Sequence, residues 1–262
     1  LGLNMTEAAQ TVDRTQSWLS KMEGGDVSLS AASVRLLLMG YDRPKDEVEE
    51  WAALARQANE RGWWETEEYK SVVLDDFSEY LSVEAAVTRM SFFDIQLLPG
   101  VVQTSDYAKA LMKAHLPSER QGEIEDLVAL RLARHERLFA DDDGPHVRVV
   151  LDDPAVHRPI GGSKVMREQL SWLLELGKRR NVDLRVLPLS AGAEAAVGTP
   201  FVYLEFHGDP DFVFHECMTS SYYVRDPADV QRHRITFERL QRAALNQKAS
   251  VSLIQKVMED LQ

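Results

Sequence analysis

Apolar side chains recur every three to four positions at the start of the chain, separated by short polar breaks, and this period predicts helices. Asn4 and Glu7 have the spacing of a capping box, in which each side chain accepts a hydrogen bond from a backbone N–H that the helix leaves without a partner. Ala9 and Val12 then fall on one face. The pattern predicts a short helix that begins after Asn4 and ends at the polar break 13–15.

A second helix is predicted immediately after this break. Thr15 is a suitable N-cap, and Leu19 and Met22 point inward at a spacing of three. Gly24–Gly25 ends the helix, because glycine adopts the left-handed C-terminal conformation without a Cβ penalty. The outer face is left with polar side chains: Gln16, Ser17, Ser20 and Lys21. Two short helices joined by a tight polar turn are the arrangement that lays the second helix in a DNA major groove.

Two further helices complete the first segment. One is capped by Ser30 and closed by Gly40, and the next opens at Pro44 and runs to about Arg61. The chain begins at Leu1, directly ahead of the helix pair. Since small repressor folds need an earlier helix to cover such a pair, we expect the natural protein to carry further N-terminal residues.

The helical segment ends at Gly62-Trp63-Trp64 and a polar stretch, and the pattern becomes mixed beyond it. The predicted domains are therefore 1–61, a helix-turn-helix domain with a linker helix, and 62–262. Helices are predicted near 80–92, from Thr104 or Ser105 through Leu111, and over about 122–140, 163–178, 227–245 and 250–261. Strands are predicted at 146–152 and 182–189, with a hairpin of 200–206 and 211–217. The predicted fold class is α+β: an N-terminal all-α helix-turn-helix, its first helix missing, followed by a larger mixed α/β domain.

Composition adds three restrictions. No apolar run has membrane-spanning length and no signal-peptide pattern is present, so we expect a soluble protein with no membrane partner. The single cysteine, Cys217, excludes an internal disulfide and suits a reducing compartment, so we expect a cytoplasmic protein. The net charge of −12 disfavours nucleic acid, but residues 1–45 hold five basic and five acidic side chains and are neutral. A neutral DNA-binding segment joined to an acidic remainder predicts modest DNA affinity for one copy. We therefore expect a homodimer, in which two such segments bind together.

Several separated stretches, in order, resemble a known family. They are VDRTQSWLSKMEGG at 12–25, RGWW at 61–64, QLLPGVVQTSDYAKAL at 96–111, VVLDDPAVHRPIGG at 149–162, VMREQLSWLLEL at 165–176 and LPLSAGA at 187–193. The first resembles XRE-type helix-turn-helix regulators. The remainder is similar to the C-terminal domain of the actinobacterial set of these regulators, often described as antitoxin-like.

The resemblance implies a transcription factor that binds promoter DNA as a dimer, sometimes with a small partner protein encoded by an adjacent gene. It supplies no ligand or reaction for the C-terminal domain. The resemblance also implies which residues contact DNA from the second helix of the pair and its N-cap. They are Thr15, Gln16, Ser17, Trp18, Ser20 and Lys21. Many XRE-type proteins have glutamine at the start of the preceding helix, where this chain has Met5. Methionine cannot hydrogen-bond a neighbouring base-contacting glutamine, so specificity there is less predictable.

The candidate DNA contacts have distinct chemistry. A Gln16 amide can pair adenine N6 and N7, and Ser17 can serve a base or a phosphate. Arg14 and Lys21 suit phosphates. Trp18 either packs on a sugar or thymine methyl or covers the edge of the small domain. The alternative for the polar residues is that they are only the solvated face of an amphipathic helix.

Other motifs have simpler structural interpretations. Trp63–Trp64 is more typical of an interdomain anchor than of a ligand cage. The stretch 98–104 is a tight entry into a helix whose N-terminus can bind an anion, although a structural turn explains it. Asp152–Asp153 and Gly161–Gly162 fit a turn and a helix cap, because no GxGxxG or Walker pattern is present.

His215, Glu216 and Cys217 suggest a nucleophile or a metal site, because residues two apart on a strand share a face. There is no second cysteine and no His-Glu-x-x-His pattern to complete a zinc site, so a buried thiol on a hairpin strand explains Cys217. We therefore expect no catalytic residues, no cofactor and no metal. The hypothesis is a dimeric, sequence-specific regulator on a partly palindromic operator, whose C-terminal domain senses a signal or binds a small partner. The alternatives are an antitoxin that neutralises a small partner, or an enzyme within 65–262.

Overall fold

The computed structural model describes residues 2–24, 29–58, 62–73, 75–141, 144–195, 199–217 and 220–261. The chain divides into two compact units, Leu1–Trp63 and Trp64–Gln262. The division falls between the two tryptophans of the tandem pair. The α+β class is confirmed: a helical N-terminal region is followed by a domain with a mixed sheet.

The first unit is helical. Its helices are α1 (Met5–Thr11), α2 (Gln16–Glu23), α3 (Ala31–Gly40) and α4 (Lys45–Ala58). The three predicted N-caps are confirmed, since the side chains of Asn4, Thr15 and Ser30 each accept a backbone N–H, and Glu7 completes the capping box. The buried side chains are small and aliphatic: Ala9, Val12, Leu19, Met22, Val34, Val48, Ala52 and Ala55. The predicted end of α4 at Arg61 lies outside the described residues.

Two of the helix ends are closed by aspartate rather than glycine. Asp13, after α1, has φ 52°, and Asp42, after α3, has φ 53°. Backbone N–H groups after α1 return to Gln10 O and Ala9 O at 3.1 and 3.0 Å, which is the Schellman arrangement. The predicted end of α2 at the glycine pair is confirmed: α2 ends at Glu23, and its C-cap Gly24 has φ −77° and donates its N–H to Ser20 O at 2.8 Å. The left-handed conformation belongs to the position after the C-cap, which is Gly25. Gly25 lies outside the described residues.

The second unit combines helices with one sheet. Its helices are α5 (Asp75–Glu84), α6 (Ser105–His115), α7 (Ile124–Leu138), α8 (Asp153–His157), α9 (Ser163–Leu176), α10 (Pro227–Ala243) and α11 (Gln247–Asp260). Its strands are β1 (Arg89–Asp94), β2 (His146–Asp152), β3 (Val182–Leu187), β4 (Phe201–Glu205), β5 (Phe212–Glu216) and β6 (Ser221–Val224). The described strands form a sheet in the order β3-β2-β1-β4-β5-β6. The first three pair in parallel and the others antiparallel.

The sheet is covered on both faces. Met90 and Phe92 belong to a large core shared with α9 and α11, whereas Phe93 belongs to a second core with Phe237 and Leu240 of α10. Strand β1 is therefore buried on both sides, as parallel strands between helices are. In the described part of the chain, no helix is long and apolar enough to cross a membrane.

The helix predicted near 80–92 is wrong in its second half. Helix α5 ends at Glu84, and 89–94 is the strand β1. A strand buried on both faces has no alternating polar positions, so its hydrophobic run resembles that of a buried helix. The short elements α8 and β6 were not predicted. The other predicted helices and strands are confirmed, with ends that differ by a few residues.

Candidate nucleic-acid interface

The polar side chains predicted to read DNA lie together on the exposed face of α2. Successive residues of an α-helix are rotated by about 100°. Gln16 and Ser20 therefore lie about 40° apart, with Ser17 and Lys21 continuing the same face, and all four are exposed. Leu19 and Met22 are buried on the opposite side, at 0% and 6% exposure. Burial of these two side chains determines which face α2 presents to solvent.

Gln16 has a hydrogen-bond partner that sequence reasoning missed. The hydroxyl of Thr6, on α1, donates to Gln16 Oε1 at 3.3 Å. The two residues are ten positions apart and meet only because the turn 12–15 folds α2 back towards α1. Thr6 stands next to Met5, the position where the resemblance leads one to expect a glutamine. The Thr6 hydroxyl orients the Gln16 amide through this hydrogen bond, which the Met5 side chain cannot make.

Arg14, Thr15 and Trp18 form a separate group at the start of α2. The Thr15 hydroxyl accepts from Trp18 N at 3.2 Å, so it serves as the N-cap. The Arg14 guanidinium donates to Asp13 O and lies 5.6 Å from the centre of the Trp18 ring, within cation–π range. Trp18 is part-buried and lies about 160° around the helix from Gln16. The tryptophan therefore faces away from Gln16 and lies about 60° from Lys21, at the edge of the polar face.

Ion pairing within the first unit is unequal. Two arginines pair with glutamates of α4: Arg35 with Glu49 at 2.7 Å, and Arg43 with Glu47 at 2.9 Å. Among the described residues, no carboxylate lies within ion-pair distance of Lys21 on α2. The charge of this lysine is available to an external anion.

In the second unit the sequence candidates are occupied in structural roles. Asp152 caps α8 by accepting from Asp153 N at 3.0 Å, and Gly161 and Gly162 turn the chain before α9 with φ 73° and 88°. Trp64 is buried and its Nε1 donates to Ser78 Oγ at 3.0 Å, a contact inside this unit.

The stretch 98–104 is held as a turn by side chains. Gln103 Nε2 donates to Leu98 O at 2.6 Å, and Arg131 donates to the Gln103 amide oxygen. Gln169 accepts from Thr104 N at 2.6 Å and donates to Val102 O at 2.9 Å. These bonds hold the turn together, and the bond of Gln169 to Thr104 N uses one of the N–H groups at the start of α6, which favours the structural interpretation.

Titratable groups with shifted pKa values lie near the carboxyl ends of β1 and β5. Burial raises the pKa of Asp94 to about 7, and the nearby charge of Glu216 adds to the shift. Burial alone would lower the pKa of Arg134, but Glu84, which binds it through two hydrogen bonds of 2.7 and 3.0 Å, raises it instead. Because perturbed titratable groups are common in both functional sites and structural ion pairs, they do not by themselves define a reaction.

The group His215, Glu216 and Cys217 does not assemble as the sequence suggested. His215 is buried, but its partner is His233 of α10, with the two Nε2 atoms 3.2 Å apart. Cys217 is exposed, so the buried thiol predicted there is wrong. In the described part of the chain, no three His, Cys, Asp or Glu side chains gather in a group able to hold a metal ion. The contribution of His233 was not found from sequence, because a lone histidine on an amphipathic helix carries no signal.

These features define a two-unit α+β protein with a helical unit and a mixed-sheet unit. Residues 77–256 match the family model described as Domain of unknown function (DUF5753), and the chain belongs to this family. The matched range lies within the second unit. A comparison with curated proteins found no match, and neither did a comparison with solved structures.

Proposed function

We propose that this protein is a transcriptional regulator of the XRE type that acts by binding DNA rather than by catalysis. In this proposal α2 enters the major groove, two copies bind a partly palindromic operator, and the second unit senses a signal or binds a small partner protein. The observation that carries the proposal is the face of α2: four exposed polar side chains opposite two buried aliphatic ones, after a tight turn from α1.

The roles of the side chains follow from their chemistry. Gln16 reads adenine by donating to N7 and accepting from N6, and Thr6 holds the amide in a fixed orientation for that contact. Ser17 and Ser20 lie beside it on the same face. Lys21 binds backbone phosphate, for which its unpaired charge is suited. Arg14, with Thr15 and Trp18, positions the start of the helix and contacts the sugar-phosphate backbone.

Charge explains why two copies are required. Residues 1–45 are neutral while the whole chain carries −12, so one copy gains little from the phosphates. Two linked heads raise the effective concentration of the second contact. For helix-turn-helix dimers the half-sites lie about 34 Å apart, one turn of DNA, so any change in the second unit that alters this spacing alters occupancy.

The test begins with genome-wide immunoprecipitation of the tagged full-length protein, which gives the operator. Binding to the operator and to random duplex is then measured by fluorescence anisotropy at several salt concentrations. Gln16→Ala is expected to reduce discrimination between the two DNAs by about 1–3 kcal/mol, or about 5- to 150-fold. Lys21→Ala is expected to weaken both alike and to reduce the salt slope by about 1.

Matched controls are available on the neighbouring helices. Gln10→Ala on α1 and Lys45→Ala on α4 remove the same exposed side-chain types away from the polar face, and both are expected to leave binding unchanged. Equal losses for Gln16→Ala and Lys21→Ala on both DNAs would contradict the assigned roles. If the intact protein shows no preference for any duplex at low salt, the function itself is refuted.

A further inference from the structure

His215 and His233 meet with their ring nitrogens in an arrangement that their hydrogen bonds define. His215 Nδ1 lies 3.0 Å from Pro200 O, and His233 Nδ1 lies 2.8 Å from Asp229 O. A carbonyl oxygen only accepts, so each Nδ1 carries the proton and donates it. In a neutral imidazole the other nitrogen is then a lone pair. Both Nε2 atoms are therefore unprotonated when both rings are neutral.

The two Nε2 lone pairs face each other at 3.2 Å. While both rings are neutral, neither nitrogen can donate to the other, so the contact is not a hydrogen bond; a proton or a metal cation between the two nitrogens would satisfy both lone pairs. Zn–N bonds of about 2.0–2.1 Å at a tetrahedral angle place two ligand nitrogens about 3.3–3.4 Å apart. The observed separation fits this geometry within about 0.2 Å. The bonds from Nδ1 to a backbone carbonyl are also those that orient metal-binding histidines.

The surroundings hold both rings in place. Tyr222 stacks on His215 with ring centres 4.7 Å apart and planes at 11°, and Phe201 packs edge-on against His233 at 5.2 Å. His215 is 4% exposed. His233 is part-buried and Tyr222 is 47% exposed, so the pair lies near the surface of the second unit.

We propose that His215 and His233 bind one divalent transition-metal cation of the zinc class through their two Nε2 atoms. Imidazole nitrogen is a preferred ligand for Zn²⁺, Ni²⁺ and Cu²⁺. Among the described residues no third protein ligand joins the pair, so water completes the coordination. The site is a property of the second unit and does not depend on DNA binding.

In the first test, Zn²⁺ is titrated into the tag-free, full-length protein, and binding is measured by isothermal titration calorimetry. The wild type is expected to bind one Zn²⁺ per chain, and His233→Ala is expected to weaken that binding at least about tenfold. His115→Ala is the matched control, because His115 makes the same bond from Nδ1 to the carbonyl four residues earlier, on α6. Cys217→Ser controls for zinc bound by the exposed thiol. Both controls are expected to retain wild-type binding.

A second measurement needs no variant, so it stands even if His233→Ala fails to fold. Long-range ¹H–¹⁵N spectra of the histidine rings report which nitrogen is protonated or metal-bound. On addition of Zn²⁺, the Nε2 signals of His215 and His233 are expected to shift while both Nδ1 atoms stay protonated. Unshifted Nε2 signals, no stoichiometric binding by the wild type, or binding that survives His233→Ala or disappears in Cys217→Ser would each overturn the proposal. The same holds if the spectra show a proton shared by the pair and not displaced by Zn²⁺.

Discussion

Gly40 lies where the C-terminal end of α3 meets the end of α1, and the structure leaves no room there for a side chain. A Cβ added at Gly40 would lie 2.2 Å from Cγ1 of Val12, whereas carbon atoms pack best at about 3.5–4.0 Å. Val12 is buried and cannot swing into solvent. In Gly40→Ala the gain in helix propensity is at most about 1 kcal/mol. Overpacking costs about 1–3 kcal/mol, so we expect a net loss on the order of 1–2 kcal/mol.

A double-mutant cycle tests this contact further. Its second variant, Val12→Ala, removes the Cγ1 atom that the new methyl group would strike. Val12→Ala alone is expected to destabilise the first unit by about 1–3 kcal/mol, through lost burial and a cavity. In the double variant the alanine methyl at position 40 occupies part of that space. The double variant is therefore expected to be about 1–2 kcal/mol more stable than the sum of the single effects.

The measurement is amide hydrogen exchange by mass spectrometry on the full-length chain, because peptides from α1 to α3 report the first unit separately. Gly122→Ala is the matched control: nothing lies within 4 Å of a Cβ added there, and we expect a change below about 0.5 kcal/mol. Unchanged or slower exchange in Gly40→Ala, or strictly additive effects in the double variant, would refute the reasoning about this contact.

Two further predictions concern charge in the second unit. The raised pKa of Asp94, about 7, means that the folded state holds its proton more tightly than the unfolded chain, so stability falls as pH rises from about 4 to about 7. Asp94→Asn is expected to remove that fall, which is worth up to about 4 kcal/mol for a fully buried group and less for this part-buried one. Urea unfolding at pH 4 to 8 measures the fall, and an unchanged slope in the variant would contradict the prediction. Glu84→Gln leaves the buried Arg134 without a counter-charge and is expected to cost about 3–5 kcal/mol in the same assay. Glu79→Gln, which breaks an exposed pair with Arg225, is expected to cost less than about 1 kcal/mol, and similar losses for both variants would show that burial is not the cause.

Local interactions are the part of the fold that sequence reasoning predicted well. The caps at Asn4, Thr15 and Ser30 were found because each side chain bonds to a backbone N–H within three residues. The hairpin of β4 and β5 was found because alternation and a polar turn lie side by side in the chain. Interactions over so short a range depend little on the rest of the molecule.

The errors occur where burial depends on distant parts of the chain. The helix predicted near 80–92 overlaps β1, whose neighbours in the sheet are β2 and β4. Only those neighbours, with the helices packed on both faces, make a run such as 89–94 a strand. Cys217 was expected to be buried by the hairpin, but β5 ends at Glu216 and the thiol is exposed.

Side-chain period and neighbours a few residues apart are enough to predict most helices and strands, their capping residues, and the polar face of α2. The contacts of Thr6 with Gln16 and of His215 with His233 are visible in the folded chain alone. These pairs are 10 and 18 residues apart. Each is brought together by packing of one element against another, which buried area and chain connectivity determine and a local pattern does not record.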